Sequence, residues 1–388
     1  MLTFLIWGCS LSFVSAENSP NAEAGIQNSL AERQAEQLGL EELSMFWDSI
    51  VNEYGSYLPE SQKGSLMDFI KGEKIFSLSE WLKGISSFAF QELVLNGKLL
   101  GSLLILTIFS LFLQSLHNAF EKGTVSKAAY AIVFIVLIIL ALNSFRVAAD
   151  YALEAIATMT DFIIALLPLM LALIASSGGI ASAAFFHPIM LFLLNTSGAL
   201  VQYAVLPLIL MSVLLSIVSS LSDEYKVTRL AQLLRNAGVG LLGVFMTVFL
   251  GVISVQGSAS AVTDGIAIRT AKFVTGNFVP VIGRIFTDAA DTVISASLLL
   301  KNTLGIAGVA IILVIAAFPA VKIFILAMVY KLAAALLQPV GDGPVISCLD
   351  MMSKNMMFVF AALAIVSLMF FLSITIVVLS GNITMMVR

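Results

Sequence analysis

The sequence predicts an all-α, polytopic helical membrane protein of about eight or nine spans, preceded by a small exported helical segment. Three observations carry this. Of 388 residues, 59% are apolar and 11% charged, with a mean hydropathy of +1.01, whereas a soluble domain is roughly a quarter charged. Apolar runs long enough for the ~30 Å hydrocarbon layer recur at 99–116, 128–145, 238–256 and 357–380. The charges crowd into residues 17–97 and into short breaks between those runs. The net charge of −4 therefore reflects an acidic N-terminal segment. With no basic cluster, a nucleic-acid partner is excluded.

Residues 1–16 read as a signal peptide, a short apolar run ending in the small-residue pattern Val14-Ser15-Ala16. An uncleaved anchor is the alternative, although sixteen residues fall short of the ~20 that span a bilayer. Residues 17–97 form the exported helical segment. Leu38, Leu43, Phe46, Trp47 and Ile50 recur at helical spacing, Tyr54-Gly55 marks a turn, and Ser77-Leu78-Ser79-Glu80 is a capping box opening a further helix. Such a layer either rests solvated on the membrane or docks a partner.

A first transmembrane region covers 98–256. Residues 162–221 carry no charge and are interrupted by Ser176-Ser177-Gly178-Gly179 and Asn195-Thr196-Ser197-Gly198, turn chemistry that divides the stretch into three crossings. Lys122 and Lys127 in one break, and Lys226, Arg229 and Arg235 in another, place both breaks inside; Asp150, Glu154 and Asp161 against Arg146 place 146–161 outside. Residues 257–303 form an amphipathic, charged segment with seven charges. Residues 304–388 form the C-terminal transmembrane region.

Two patterns bear on mechanism. Ala155-Ile156-Ala157-Thr158 precedes Pro168 as Ala267-Ile268-Arg269-Thr270 precedes Pro280, and Asn195-Thr196-Ser197-Gly198 precedes Pro207 as Asn302-Thr303-Leu304-Gly305 precedes Pro319. This suggests two parallel halves with helix breaks at Pro168, Pro207, Pro280 and Pro319, a plan used by proteins that move solutes across membranes. Second, a helix over 277–302 places Asn277, Arg284, Asp288, Asp291, Ser295 and Asn302 in one arc, with Arg284 and Asp288 one turn apart. That stripe either lies in water at the membrane interface or crosses the bilayer facing partners or an aqueous path.

Other features invite plainer readings. His187, beside Pro188 in an apolar run, reads as a histidine hydrogen-bonded between helices. The glycines of GVGLLGVFMTVFLGV (238–252) read as small-residue packing faces. Cys9 lies in the signal segment, leaving Cys348 as one thiol without a disulfide. The chain holds no HExxH, GxSxG or GxxxxGK[ST] pattern, so it reads as a non-enzyme without cofactor or metal, driven by a gradient or a partner.

The segments LPESQKGSLMDFIKGEK (58–74), NGKLLGSLLILTIF (96–109), SKAAYAIVFIVLIILALNSF (126–145), ASSGGIASAAFFHP (175–188), FLGVISVQGSASAVTDGIAIRTAKFVTGNFVPVIGRIFTDAADTVISAS (249–297) and LAAALLQPVGDGPVISCLD (332–350) together resemble the stage III sporulation protein AE family of endospore-forming bacteria. The likeness runs from about residue 40 to the C-terminus. It implies a multi-pass subunit of the mother-cell membrane around the forespore, part of a channel or secretion-like complex joining the two cells and needed for late forespore gene expression. It further implies partners: the other subunits of one sporulation operon, an ATPase among them, a forespore-side channel partner, a YidC-type insertase and the lipid bilayer. The family supplies no catalytic residues. A self-sufficient secondary transporter or small-molecule channel, using the 277–302 stripe, is the alternative; an intramembrane enzyme would rest on His187 and scattered aspartates alone.

Overall fold

The computed structural model describes residues 41–58, 78–119, 124–221, 227–278, 282–341 and 343–386. Among these, every regular element is helical. The order is α1 (Glu41–Tyr54), α2 (Leu78–Leu95), α3 (Gly97–Ala119), α4 (Thr124–Ser176), α5 (Ile180–Leu200), a π turn (Val201–Val205), α6 (Leu206–Leu221), α7 (Thr228–Phe278), α8 (Ile282–Leu337), a 3-10 turn (Gln338–Val340) and α9 (Pro344–Met386). Among the described residues, six stretches are long and apolar enough to cross a bilayer: Gly97–Leu116, Ala128–Ser176, Ile180–Ser220, Thr228–Ala267, Thr292–Val340 and Pro344–Leu379.

Six candidate spanning helices stand where the sequence divided the chain into eight or nine apolar runs, because charge ends an apolar run without ending a helix. The 146–161 break lies wholly inside α4, whose backbone hydrogen bonds close within the segment whatever its side chains carry. Arg146 and Asp150 pair at 3.7 Å across one helical turn there, both well exposed. Turn chemistry was also half right. Gly178 takes a φ of 96°, a left-handed conformation open to glycine, and the chain reverses between α4 and α5. Asn195–Gly198, by contrast, stay helical near the end of α5. The helix then runs through the π turn into α6. Pro207 accounts for that turn: it lacks an N–H and its ring crowds the carbonyl of Tyr203 four residues back, which the wider turn relieves. The 304–338 run is the body of α8, and the boundaries at 256/257 and 303/304 fall inside α7 and α8.

At about 1.5 Å per residue, the 53, 51 and 56 residues of α4, α7 and α8 reach roughly 75–85 Å, more than twice a hydrocarbon layer. Helices α4, α8 and α9 form the centre and bury Phe134, Phe145, Phe162, Phe318 and Phe370. Glycine allows their close approach: a Cβ at Gly305 would fall 2.2 Å from Val378 Cγ2 of α9, and one at Gly308 2.7 Å from Leu166 Cδ2 of α4. The glycine run of α7 behaves differently from its sequence reading. Gly238 packs on Leu208, but Gly240, Gly243 and Gly251 have open space where a Cβ would stand.

Two polar contacts tie helices together, one of them at a helix end. The α5 N-terminus is capped by a side chain from 82 residues downstream: Asp264 of α7 accepts N–H bonds from Ala181 (2.9 Å, Oδ1) and Ser182 (3.0 Å, Oδ2). It is 2% exposed, and a carboxylate at a helix N-terminus meets both orphan donors and the positive dipole end. Elsewhere the Tyr330 hydroxyl of α8 bonds Ser144 Oγ of α4 at 2.8 Å.

The N-terminal helices rest on the flank of this bundle. Leu43, Trp47, Ile50 and Tyr54 of α1 are buried, on the helical spacing read from the sequence, and α2 starts at Leu78 with Glu80 in its first turn. Tyr54 stacks on Phe318 of α8 (4.0 Å between centroids, 4° between planes), and Phe88 of α2 meets both rings edge-on. Phe46 meets Phe162 of α4 at 5.6 Å. Residues 1–40, and with them the signal segment and Leu38, lie outside the described residues.

Two outcomes are expected. Asp264→Ala strands two buried N–H donors and costs about 3 kcal/mol, read as a lower Tm in detergent, with Asp264→Asn losing less; an unchanged Tm in both refutes the cap. Phe318→Ala costs about 3–4 kcal/mol and frees α1 and α2 from the bundle, measured as faster proteolysis between them while α4–α9 stay protected.

Candidate functional site

The polar stripe divides across a helix boundary. Asn277 belongs to the last turn of α7, whereas Arg284, Asp288, Asp291, Ser295 and Asn302 lie on α8. Pro280 and the side chains of Asn277, Arg284, Asp288 and Asp291 lie outside the described residues. Ser295 and Asn302 are half-buried, and Asn302 Oδ1 is buried without a hydrogen-bond partner among the described residues. Beside it, Lys301 is fully buried and donates from Nζ to the Val378 carbonyl of α9 at 2.9 Å. The prolines keep their helices: α4 runs through Pro168 and α8 through Pro319, while Pro207 follows the π turn.

His187 faces away from the helix interior. The buried side of α5 is Ser182, Phe186, Met190, Leu193 and Leu194, three or four residues apart, which turns His187 and Pro188 outward; both are exposed. The interhelical hydrogen bond expected for His187 is therefore replaced by exposure on the bundle surface. Cys348 is a free, buried thiol.

Two polar sites were not read from the sequence. The first lies where α1 docks. Lys322, in the middle of α8, stands 3.9 Å from Glu53 of α1 and over the rings of Tyr54 (5.6 Å) and Tyr151 (5.0 Å), with a small cavity of about 100 Å³ between these groups and Pro319. Burial, with Glu53 beside it, holds the Tyr54 phenol above its ordinary range, so it stays neutral under Lys322. The exposed glutamate contributes little; the two rings hold the ammonium.

The second site is a cleft of about 630 Å³ among the ends of α6, α7, α8 and α9. Arg235, Lys331, Lys354 and Asp350 line it, with hydroxyls from Ser216, Ser220 and Ser347. Asp350 bonds Lys331 through one oxygen and Lys354 through the other, the latter at 2.7 Å. Arg235 lies on the Phe358 ring at 4.7 Å, and its Nε is buried with no partner among the described residues. Three cations against one carboxylate suit an anion. Lys331 within the apolar run 304–338 was the available signal, but only the fold shows that Arg235, Lys331 and Lys354 converge.

A charge-removing change at the dock tests the first site. Lys322→Met keeps the stem packed and loses the cation–π contacts, so it weakens α1 docking by about 1 kcal/mol, seen as a modest rise in proteolysis after Tyr54; an effect as large as that of Phe318→Ala contradicts this ordering.

A family model described as stage III sporulation protein AE matches residues 61–381. The protein of that name from Bacillus subtilis (strain 168) is 65% identical over 359 residues, covering 92% of this chain and 90% of the relative. No solved structure matches. With a closely similar relative along nearly its whole length and a family model spanning the helical bundle, the chain belongs to the stage III sporulation protein AE family.

Proposed function

We propose that this chain is a membrane subunit of a multi-protein sporulation channel or secretion-like complex that links mother cell and forespore and supports late forespore gene expression. Family membership supports the sporulation role. One structural observation supports the assembly: outward apolar side chains run farther than one bilayer covers. On α8 they extend from Val293 through Ile306 and Leu313 to Phe324 and Leu336, about 65 Å of helix. On α7 they extend from Leu230 through Val244 and Val255 to Ile266, about 54 Å. A hydrocarbon layer of ~30 Å leaves roughly half of that surface to other protein, since apolar patches of this size do not face water.

In the frame we propose, the breaks between α3 and α4, α6 and α7, and α8 and α9 face the cytoplasm: Lys122 and Lys127 favour this for the first and Lys226, Arg229 and Arg235 for the second, and the alternation of the helices then requires it for the third. The exported segment, the 176–180 turn and the C-terminus lie on the other side. The bilayer then holds α3, the first third of α4, the α6 end of the α5–α6 rod, and the adjoining parts of α7, α8 and α9, and the remaining bundle projects outward. Operon partners, an ATPase among them, and a forespore-side channel partner would cover the projecting half, and a YidC-type insertase would place charged stretches such as 257–303. The stripe of Arg284, Asp288, Asp291, Ser295 and Asn302 sits in that projecting half and is proposed to face a partner or an aqueous path.

The test combines two preparations. Tagged protein from sporulating cells should retain operon partners through detergent purification, and purified protein alone in liposomes should pass no solute. Sustained flux by the isolated chain contradicts the subunit reading and supports the self-sufficient channel. Arg284→Ala and Asp288→Ala should each lower spore yield about tenfold or more if the stripe carries a required contact worth more than about 1.4 kcal/mol, with membrane levels unchanged; normal yield in both and in the double variant removes the stripe from function.

A further inference from the structure

The basic cleft shares two of its walls with a second hollow. A groove of about 400 Å³ opens between α8 and α9, and Lys331 and Lys354 line both spaces. Away from these lysines the groove is almost wholly apolar, walled by Phe324 and Met328 on α8 and Met357 and Phe358 on α9. It follows α8 from Lys331 back to Phe324, about 10 Å, away from the helix ends. Arg235 lies at their border, lining the cleft while its guanidinium rests on Phe358 of the groove wall.

We propose that cleft and groove together hold one anionic glycerophospholipid, with its phosphate among Arg235, Lys331 and Lys354 and an acyl chain along the α8–α9 groove. Charge supports the head. Asp350 occupies one donor on each lysine, each ammonium has three, and the cleft keeps a net charge of +2 among its described lining residues. Arg235 rests over the Phe358 ring, and its planar fork suits phosphate oxygens. The first turn of α9 places Ile346 and Ser347 on the cleft wall, at the positive end of that helix, where the dipole favours an anion. Shape selects the source of the phosphate. A free phosphate or a nucleotide would leave the groove unused, whereas an acyl chain fills it. The orientation also agrees, because the groove leads from the ends of the helices toward their middle, as a chain leads from a membrane surface into its interior. This site is independent of the assembly reading above and would exist in the chain alone.

Full-length protein, purified and delipidated in a non-ionic detergent, is titrated with phosphatidylglycerol or phosphatidylcholine, with inorganic phosphate as competitor, and lipid retention is read by native mass spectrometry. One phosphatidylglycerol should be retained in preference to phosphatidylcholine. Arg235→Gln and Lys354→Gln should each weaken it roughly tenfold, the effect of losing one charge-assisted contact, and Arg235→Lys should restore part of the loss. Met328→Trp, which fills the groove, should weaken it similarly, while Lys322→Gln, a distant cation on the same helix, should not. Unchanged lipid-free Tm in each variant keeps loss of binding separate from loss of fold. Equal retention of both lipids, or no effect of the Arg235 and Lys354 variants, overturns the proposal in favour of non-selective boundary lipid. Displacement by phosphate at equimolar concentration, with Met328→Trp silent, overturns it in favour of a free phosphate site.

Discussion

The rest of this structure depends on one constraint: uninterrupted helices that are more than twice as long as the hydrocarbon layer of a bilayer is thick. A helix closes its own backbone hydrogen bonds and can leave the hydrocarbon without changing conformation. Four helices with more than 40 residues each, α4, α7, α8 and α9, do so together with the α5–α6 rod. A single bundle can then present one zone to lipid and another to protein. The turns collect at two levels, and the docking layer of α1 and α2 meets the bundle between them, at Phe162 on α4 and at Phe318 and Lys322 on α8.

Such a bundle has to place polar groups where water does not reach, and it uses the partners nearest to hand. Lys301 takes a backbone carbonyl of α9, Tyr330 takes Ser144 of α4, and Asp264 takes the two free N–H groups at the start of α5. Each bond joins two helices distant in sequence, so each fixes the register of one long rod against another at a point where apolar packing alone would permit sliding. The glycines at 305 and 308 act in the same direction by bringing α8 into contact with α9 and α4.

Much of this was legible in the sequence where local chemistry decides. The helical class, the spacing of Leu43, Trp47 and Ile50, the start of α2 near Ser77 and the reversal at Gly178 all follow from local periodicity and turn preference. The division into helices did not follow, because a hydropathy break at Arg146, Asp150 and Glu154 ends an apolar run while the α4 backbone continues. The Asn195–Gly198 cluster misled for a related reason: in an apolar helix such residues bond back to their own carbonyls, as Asn195 does to Leu191 at 2.8 Å and Ser197 to Leu194 at 2.7 Å. His187 was misread because its outward direction depends on which α5 face meets the bundle. The basic cleft was invisible for the same cause, since Arg235 and Lys354 are more than one hundred residues apart and meet only through packing.

Side-specific labelling of the α4–α5 turn tests the long-helix layout most directly. In a Cys9→Ser, Cys348→Ser background, single cysteines at the exposed positions Ser176 and Thr228 are probed on intact cells with a membrane-impermeant thiol reagent, without other sporulation proteins present. A single passage of α4 through the bilayer predicts labelling at position 176 together with Ser86 of α2, and none at 228 until the cells are opened. Protection at 176 with labelling at 86 would mean that the chain crosses again between Asp161 and Ser176, and the continuous rod would be contradicted.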